Sequence, residues 1–236
     1  MRALVTGAAS GIGRATARLL RDRGWHVAGL DRTAGPDVHR ADVTDEASLT
    51  AAVNAALGDD GLDALVCCAG VSGSSVGDGP VGTSTAAAFD TVVGTNLRGA
   101  FLTVSAAWPA LLAARGSVVL VSSVLGLTGG GGPFRSTAYV ISKGGLVAFA
   151  RAIAAQGVDA GVRANCVAPG LVDTPFAGRA RTDPTVAAYV AERQRLTGGP
   201  IAADDVAAAV GYLVSPAAAG VTGQVLGIDA GWGLDP

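Results

Sequence analysis

The sequence predicts an α/β protein: one doubly wound, mostly parallel sheet with helices on both faces. Three observations point there. Short runs rich in Val, Leu and Ile recur along the chain, longer Ala-rich segments of helical period separate them, and the runs are apolar throughout. Strands alternating with helices make βαβ units. Strands that do not alternate polar with apolar are buried on both faces, as in parallel sheets. Half of the 236 residues are apolar, which is enough for a substantial core. The length fits a single domain over 1–236 better than two small ones.

The elements follow in order. Ala3-Leu4-Val5 is the first strand, and 12–23 the first helix. Residues 25–30 form the second strand; a further short run precedes Asp42-Val43, and 45–57 is the second helix. Ala64-Leu65-Val66-Cys67-Cys68 is the next strand. A long helix spans 86–112, with Pro109 expected to shorten or kink it because proline removes an amide donor. Residues 117–121 are a strand, 139–155 a helix, 162–167 a strand, 204–213 a helix and 224–228 the last strand. Two stretches break the pattern. Gly129-Gly130-Gly131-Gly132-Pro133 is a loop, since so many glycines cannot hold regular structure. Residues 175–200 carry arginines, glutamate, glycines and Pro184, and read as an irregular or partly helical lid outside the sheet.

Composition excludes several function classes. A net charge of −2 offers no basic field for nucleic acid. No basic segment followed by an apolar core opens the chain, so no signal peptide is expected. No uninterrupted apolar stretch is long enough to span a bilayer, and no membrane partner is expected. Cys67, Cys68 and Cys166 lie in apolar runs and read as core residues of a cytoplasmic protein. His26 and His39 have no ligand spacing, so neither a metal site nor a Ser-His-Asp triad is expected.

Three constellations carry chemistry. Tyr139 and Lys143 stand four apart on a helix and share a face, with Ser122 and Ser123 upstream. A free tyrosine has a pKa near ~10, and bringing it to about 7 needs roughly 4 kcal/mol in favour of the phenolate. One positive charge at ~4 Å supplies about that at an effective dielectric of ~20. The second is Thr6-Gly7-Ala8-Ala9-Ser10-Gly11-Ile12-Gly13, between the first strand and the first helix. Its spacing differs from the usual Gly-x-Gly-x-x-Gly, yet glycines there still let a pyrophosphate reach free helix N–H groups. The third is Asp31, 18 residues after Gly13, whose carboxylate can accept both hydroxyls of an adenosine ribose. It favours NAD over NADP, although Arg32 and Arg14 could neutralise a 2′-phosphate. Asp42-Val43 could meet the adenine or simply begin a helix.

These residues resemble the short-chain dehydrogenase/reductase family of classical type. The resemblance runs over essentially the whole chain: Thr6-Gly7-x3-Gly11-x-Gly13, Asp42-Val43, Cys67-Cys68-Ala69-Gly70, Asn96, Ser123, Tyr139-x3-Lys143, Pro169-Gly170 with Thr174, and Gly227-Ile228-Asp229-Ala230-Gly231. It implies a three-layer αβα Rossmann fold. It also implies an NAD-dependent oxidoreductase, with NADP less favoured, that interconverts a secondary alcohol and a ketone. Tyr139 would be the acid/base and Lys143 would hold the nicotinamide ribose and depress the Tyr139 pKa. Ser123 would polarise the substrate oxygen, and Asn96 would hold a water for proton relay. Gly7, Ser10, Gly11, Ile12, Gly13, Asp31, Arg32, Asp42, Val43, Cys68, Ala69 and Gly70 would line the cofactor. So would Tyr139, Lys143, Pro169, Gly170, Val172 and Thr174. Alternatives are an NADP-dependent ketoreductase, or a dehydratase, epimerase or cyclase on the same fold.

Three departures from the family stand out. Cys67-Cys68 replaces the usual Asn-Asn, removing a bracing amide. Ser123 and Tyr139 lie 16 apart, longer than usual, so the glycine run should be a loop beside the substrate. The tail from Trp232 either reaches a neighbouring subunit or frays. The substrate pocket is expected from Val71, Ser72, Leu125, the 129–135 loop with Phe134, Phe176 and Tyr189; few of these are charged, so a neutral, moderately apolar substrate is expected, with Arg135 and Arg179 the exceptions that could anchor a carboxylate. The resemblance also implies a homotetramer or homodimer, and the Ala-rich stretch 148–155 suits a buried helix face.

Overall fold

A computed structural model describes residues 1–58 and 60–234. The strands are β1 (Arg2–Thr6), β2 (His26–Asp31), β3 (Val38–Arg40), β4 (Ala64–Cys67), β5 (Ser117–Val121), β6 (Arg163–Pro169) and β7 (Val225–Ile228). All pair in parallel, in the order β3-β2-β1-β4-β5-β6-β7. The chain winds outward from β1 to β3, then returns and winds the other way from β4 to β7. The crevice outside the carboxyl ends of β1 and β4 is therefore the topological switch point, where ligands bind in such sheets.

Nine helices are described: α1 (Gly11–Asp22), α2 (Glu46–Leu57), α3 (Ala86–Val93), α4 (Gly99–Ala114), α5 (Leu125–Thr128), α6 (Thr137–Gly157), α7 (Gly178–Thr182), α8 (Pro184–Arg193) and α9 (Ala203–Leu213). Side chains alternate across each strand, and the two resulting cores are distinct. Leu4, Leu65, Val118 and Leu120 face α2, α4 and α6, meeting Leu49, Val53, Leu111, Leu146 and Ile153. Ala3, Val5, Val66, Val119 and Val121 face α1 and α9, meeting Leu20, Val206, Val210 and Leu213. Both faces of the central strands are thus dry, as their unbroken apolar runs predict.

Four expectations need correction or refinement. Pro109 lies inside α4 and does not end it. Its neighbours Ala107 and Leu111 are fully buried in the core, and that packing holds the turn that proline deprives of a hydrogen bond. The irregularity in this rod comes earlier, where Gly94–Arg98 widens into a π-helix joining α3 to α4. The run 224–228 does form β7, but at the sheet edge and largely open, with Leu226 39% exposed. The segment 175–200, expected to be irregular or partly helical, is mostly helical, through α7 and α8, the latter capped by Asp183. Finally, Ala86–Ala114 and Thr137–Ala160 are long and apolar enough to cross a bilayer by length and composition. Their buried residues are part of the core against the sheet, which explains their apolarity.

Candidate active site

The glycine turn is built as its sequence requires. Gly7 has φ of +69°, and a Cβ there would meet Ala69 N at 2.9 Å and Cys68 C at 3.0 Å. A Cβ on Gly13 would collide with the Gly7 carbonyl. Only bare backbone fits, so β1, the turn and the Cys68-Ala69 strand end close together. Ser10 is the N-cap of α1 but makes no side-chain cap bond, and the first turn holds no acid. These free N–H groups, at the positive end of a helix dipole, fit a diphosphate. The brace expected to be lost with the Cys67-Cys68 departure is supplied by Thr6. Its buried hydroxyl accepts from Cys68 N at 3.2 Å and from Ala69 N at 3.3 Å.

A cleft of about 860 Å³ runs across the carboxyl ends of the strands. Gly7, Ser10, Gly11, Ile12, Gly13, Asp31, Arg32, Asp42, Val43, Cys68, Ala69 and Gly70 line one half. Ser123, Tyr139, Lys143, Pro169, Gly170, Val172 and Thr174 line the middle. Asn96 does not line the cleft and lies behind its wall. Asp31 ends β2, and its carboxylate accepts from Ala9 N and Thr33 N, both at 3.1 Å. Asp42 accepts from the Thr44 amide at 2.9 Å and its hydroxyl at 2.7 Å. These bonds, and then the charge of Arg32, hold its carboxyl below the usual range. Asp45, not Asp42, caps α2. Arg14 lies outside the lining.

Tyr139 sits on the third residue of α6 and Lys143 one turn on, as the four-residue spacing predicts. The Lys143 ammonium lies 5.7 Å from the Tyr139 ring centroid. It is 5% exposed and donates to the Val121 carbonyl at 2.8 Å. Burial pulls its pKa down to about 8. Tyr139 is half-buried and lines the cleft, and burial pushes the phenol up to about 12. The nearby Ser123 hydroxyl pulls the other way. The expectation that Lys143 lowers the phenol is therefore not met in this structure. Burial sets the direction of the phenol's shift, and the amine's hydrogen bond goes to β5. Asn96, inside the π-helix, donates to the Val71 carbonyl at 3.0 Å and to Ser142 Oγ at 3.0 Å, and accepts from Val71 N at 2.7 Å. Both its amide protons are engaged by protein, so any water must use an oxygen lone pair.

The other half of the cleft is mostly apolar. Val71, Ser72, Leu125, Phe134 and Phe176 line it as expected, with Ser136, Val186 and Trp232 in addition. Phe176 packs on Tyr139, the ring centroids 6.1 Å apart. The glycine run is a loop, closed by paired bonds between Gly131 and Phe134. Tyr189 does not line the cleft. It stands behind, against Phe134 and Trp232 at 6.0 and 5.8 Å between centroids. Arg135 is outside, whereas Arg179 lines the wall, stacked on Phe134 at 5.7 Å and bonded to the Pro133 carbonyl. The tail neither frays nor reaches outward at Trp232, which is 6% exposed. Asp229 fixes that turn by accepting from Gly231 N and Gly233 N. Asp235 and Pro236 lie outside the described residues. Asp90, Thr91, Gly94 and Thr95 also line the cleft and were missed. Their spacing marks one polar helix face, so the signal was present.

A dinucleotide cradle joined to a Ser/Tyr/Lys cluster defines a nucleotide-dependent oxidoreductase. A family profile described as Enoyl-(Acyl carrier protein) reductase matches residues 7–233. The cis-4-hydroxycyclohexanecarboxylate dehydrogenase of Sinomonas cyclohexanicum is 38% identical, over 98% of this chain and 95% of its own. The 2-(R)-hydroxypropyl-CoM dehydrogenase of Xanthobacter autotrophicus is 35% identical, over 98% and 97%. Among solved structures, the aldohexose dehydrogenase of Thermoplasma acidophilum superposes with a TM-score of 0.86 at 26% identity, over 100% of this chain and 94% of the other. The chain belongs to the short-chain dehydrogenase/reductase family and is an oxidoreductase acting between secondary alcohols and ketones.

Proposed function

We propose that this enzyme oxidises a secondary alcohol reversibly with NAD, with Tyr139 as acid/base. The observation that carries the reading is that Ser123, Tyr139 and Lys143 share the wall of a cleft whose far end is the glycine turn. Gly7, Ser10, Gly11, Ile12 and Gly13 would hold the diphosphate, and Asp31 the adenosine ribose, with Arg32, Asp42, Val43, Cys68, Ala69 and Gly70 around the nucleoside. Pro169, Gly170, Val172 and Thr174 would contact the carboxamide end. The dinucleotide, when bound, takes or gives the hydride. Asp31 supports NAD, because a 2′-phosphate would face its carboxylate, while the charge of Arg32 is shared with Asp42. Ser123 orients the substrate oxygen toward the phenol, and Tyr139 exchanges the proton. Lys143 would bind the second ribose, and Asn96 would hold a relay water through its remaining lone pair.

The apolar wall and the Arg179 guanidinium favour a substrate with a hydrocarbon body and a carboxylate. The hydroxycyclohexanecarboxylate in the name of the Sinomonas relative is of that class. We read 175–200 as the lid over it. A second copy of the chain, in a homodimer or homotetramer, would cover Phe101, 51% exposed, with Ile141 and the open edge of β7. Three free thiols suit a cytoplasmic setting.

The test is absorbance at 340 nm with NADH or NADPH and a ketone panel: cyclohexanone, 4-oxocyclohexanecarboxylate, its methyl ester and ethyl acetoacetate. We expect oxidation of NADH faster than NADPH, and loss of turnover in Tyr139→Phe with NADH binding retained. Wild-type turnover in that variant refutes the acid/base assignment, and a flat trace with every ketone refutes the redox reading.

A further inference from the structure

Asp78 is a buried carboxylate that the proposed reaction does not use. It lies in the glycine-rich loop between β4 and α3 and is 7% exposed. No cation pairs with it among the described residues. Its oxygens instead face the start of α6. Oδ1 accepts from Ala138 N at 2.9 Å and from Ser84 Oγ at 3.0 Å, and Oδ2 accepts from Tyr139 N at 2.9 Å. The next carbonyl, Gly79 O, takes Thr137 N at 3.0 Å and Thr137 Oγ1 at 2.8 Å. The N-cap residue of α6, Ser136, makes no side-chain cap bond. The first three helix donors are thus satisfied from a loop some 60 residues away, and the negative charge sits at the positive helix end.

A local cap would stabilise the helix equally well. It would not tie the helix to anything. The bonds from Asp78 fix α6 along its axis against the loop whose Val71, Ser72 and Ser74 line the substrate half. The loop is shaped to admit this carboxylate: a Cβ on Gly73 would meet Asp78 Cβ at 2.7 Å and Oδ2 at 2.9 Å. Tyr139 is itself one of the two residues whose amide Asp78 holds, so the phenol inherits its position from that bond. We infer that Asp78 is a positioning residue for catalysis, setting the Tyr139 phenol against the substrate wall. The inference rests on the acid/base reading of Tyr139.

The test is single-turnover oxidation of enzyme-bound NADH by stopped flow, using the panel ketone that the wild type reduces fastest. Amplitude counts folded, competent sites, while the rate constant reports geometry. Misplacement by about 1 Å can slow a reaction ~100-fold. We expect Asp78→Ala to slow the step by about that factor at full amplitude, with the NADH dissociation constant unchanged. Asp78→Asn keeps one acceptor oxygen, so it should remain folded if the alanine variant does not, and slow the step roughly 10-fold. A purely structural role would lower the amplitude and leave the rate constant alone. That result, or wild-type rates in folded Asp78→Asn, overturns the inference. If Tyr139→Phe is inactive while the Asp78 variants react normally, only this inference fails. If the wild type reduces no ketone, or Tyr139→Phe turns over normally, both fall.

Discussion

Lys143 is the only lysine in the chain, so its ionisation can be read in isolation. Burial takes its pKa from 10.5 to about 8. The native state then releases its proton near pH 8, while the unfolded chain keeps it to 10.5. Between those values the unfolded state binds one more proton, so stability rises with pH. Each pH unit contributes about 1.4 kcal/mol. From pH 7 to pH 10 the lysine should therefore add roughly 2.5 kcal/mol. The thiols act oppositely: burial raises Cys67, Cys68 and Cys166, so the unfolded chain ionises first and stability falls above pH 9 in any variant that keeps them. Subtracting Lys143→Met cancels that contribution. Urea unfolding of both proteins at pH 7, 8, 9 and 10 should show the wild type gaining roughly 2.5 kcal/mol relative to the variant. A single Cε resonance in 13C-lysine-labelled protein should titrate near pH 8. A constant offset between the two proteins, with a resonance titrating above 10, would falsify the claim that the amine is strongly desolvated.

Three further outcomes follow from the cleft. Asp31→Ser should weaken NADH about 10-fold, the worth of a hydrogen bond to a charged group, and narrow the preference over NADPH in steady-state kinetics. Arg179→Ala should lower kcat/KM for 4-oxocyclohexanecarboxylate by roughly 10- to 100-fold while leaving its methyl ester unaffected; equal losses on both would remove the carboxylate assignment. Trp232→Ala should cost about 3 kcal/mol in urea unfolding, since its ring is buried between Phe134 and Tyr189. An unchanged midpoint would mean that the tail is not packed.

The legible parts of this protein were those fixed by local chemistry. The continuous apolar runs marked β1, β4, β5 and β6, and helical spacing placed Tyr139 and Lys143 on one turn. The glycines of the first turn could be read because no other residue fits that approach. Short or polar elements were only faintly marked: β3, the short run before Asp42, has only Val38 as an apolar residue, too little for periodicity to register. The packing of Trp232 against Phe134 and Tyr189, both far from it along the chain, leaves no local mark, and neither does the capping of α6 by Asp78. Lys143 was read as a lever on Tyr139, but sequence spacing says nothing about how dry the surroundings are. Dryness decides the direction of both pKa shifts.

That dryness connects to the cysteine pair. Cys67 and Cys166 are buried, Cys68 lines the cleft, and all three influence Lys143. Burial raises every one of these thiols, Cys68 to about 12, so near neutrality they are uncharged and offer the amine no counter-ion. A thiol is also a weak hydrogen-bond acceptor, so the ammonium keeps only the Val121 carbonyl. The family's usual Asn-Asn would place an amide oxygen in this neighbourhood. Cys68→Asn should accordingly favour the ammonium and move the Lys143 midpoint up, to about 9. The lysine Cε resonance measures this directly, with the wild type as reference. An unmoved midpoint would mean that the amine's acidity comes from the sheet and helix walls alone and that Cys68 is a neutral replacement.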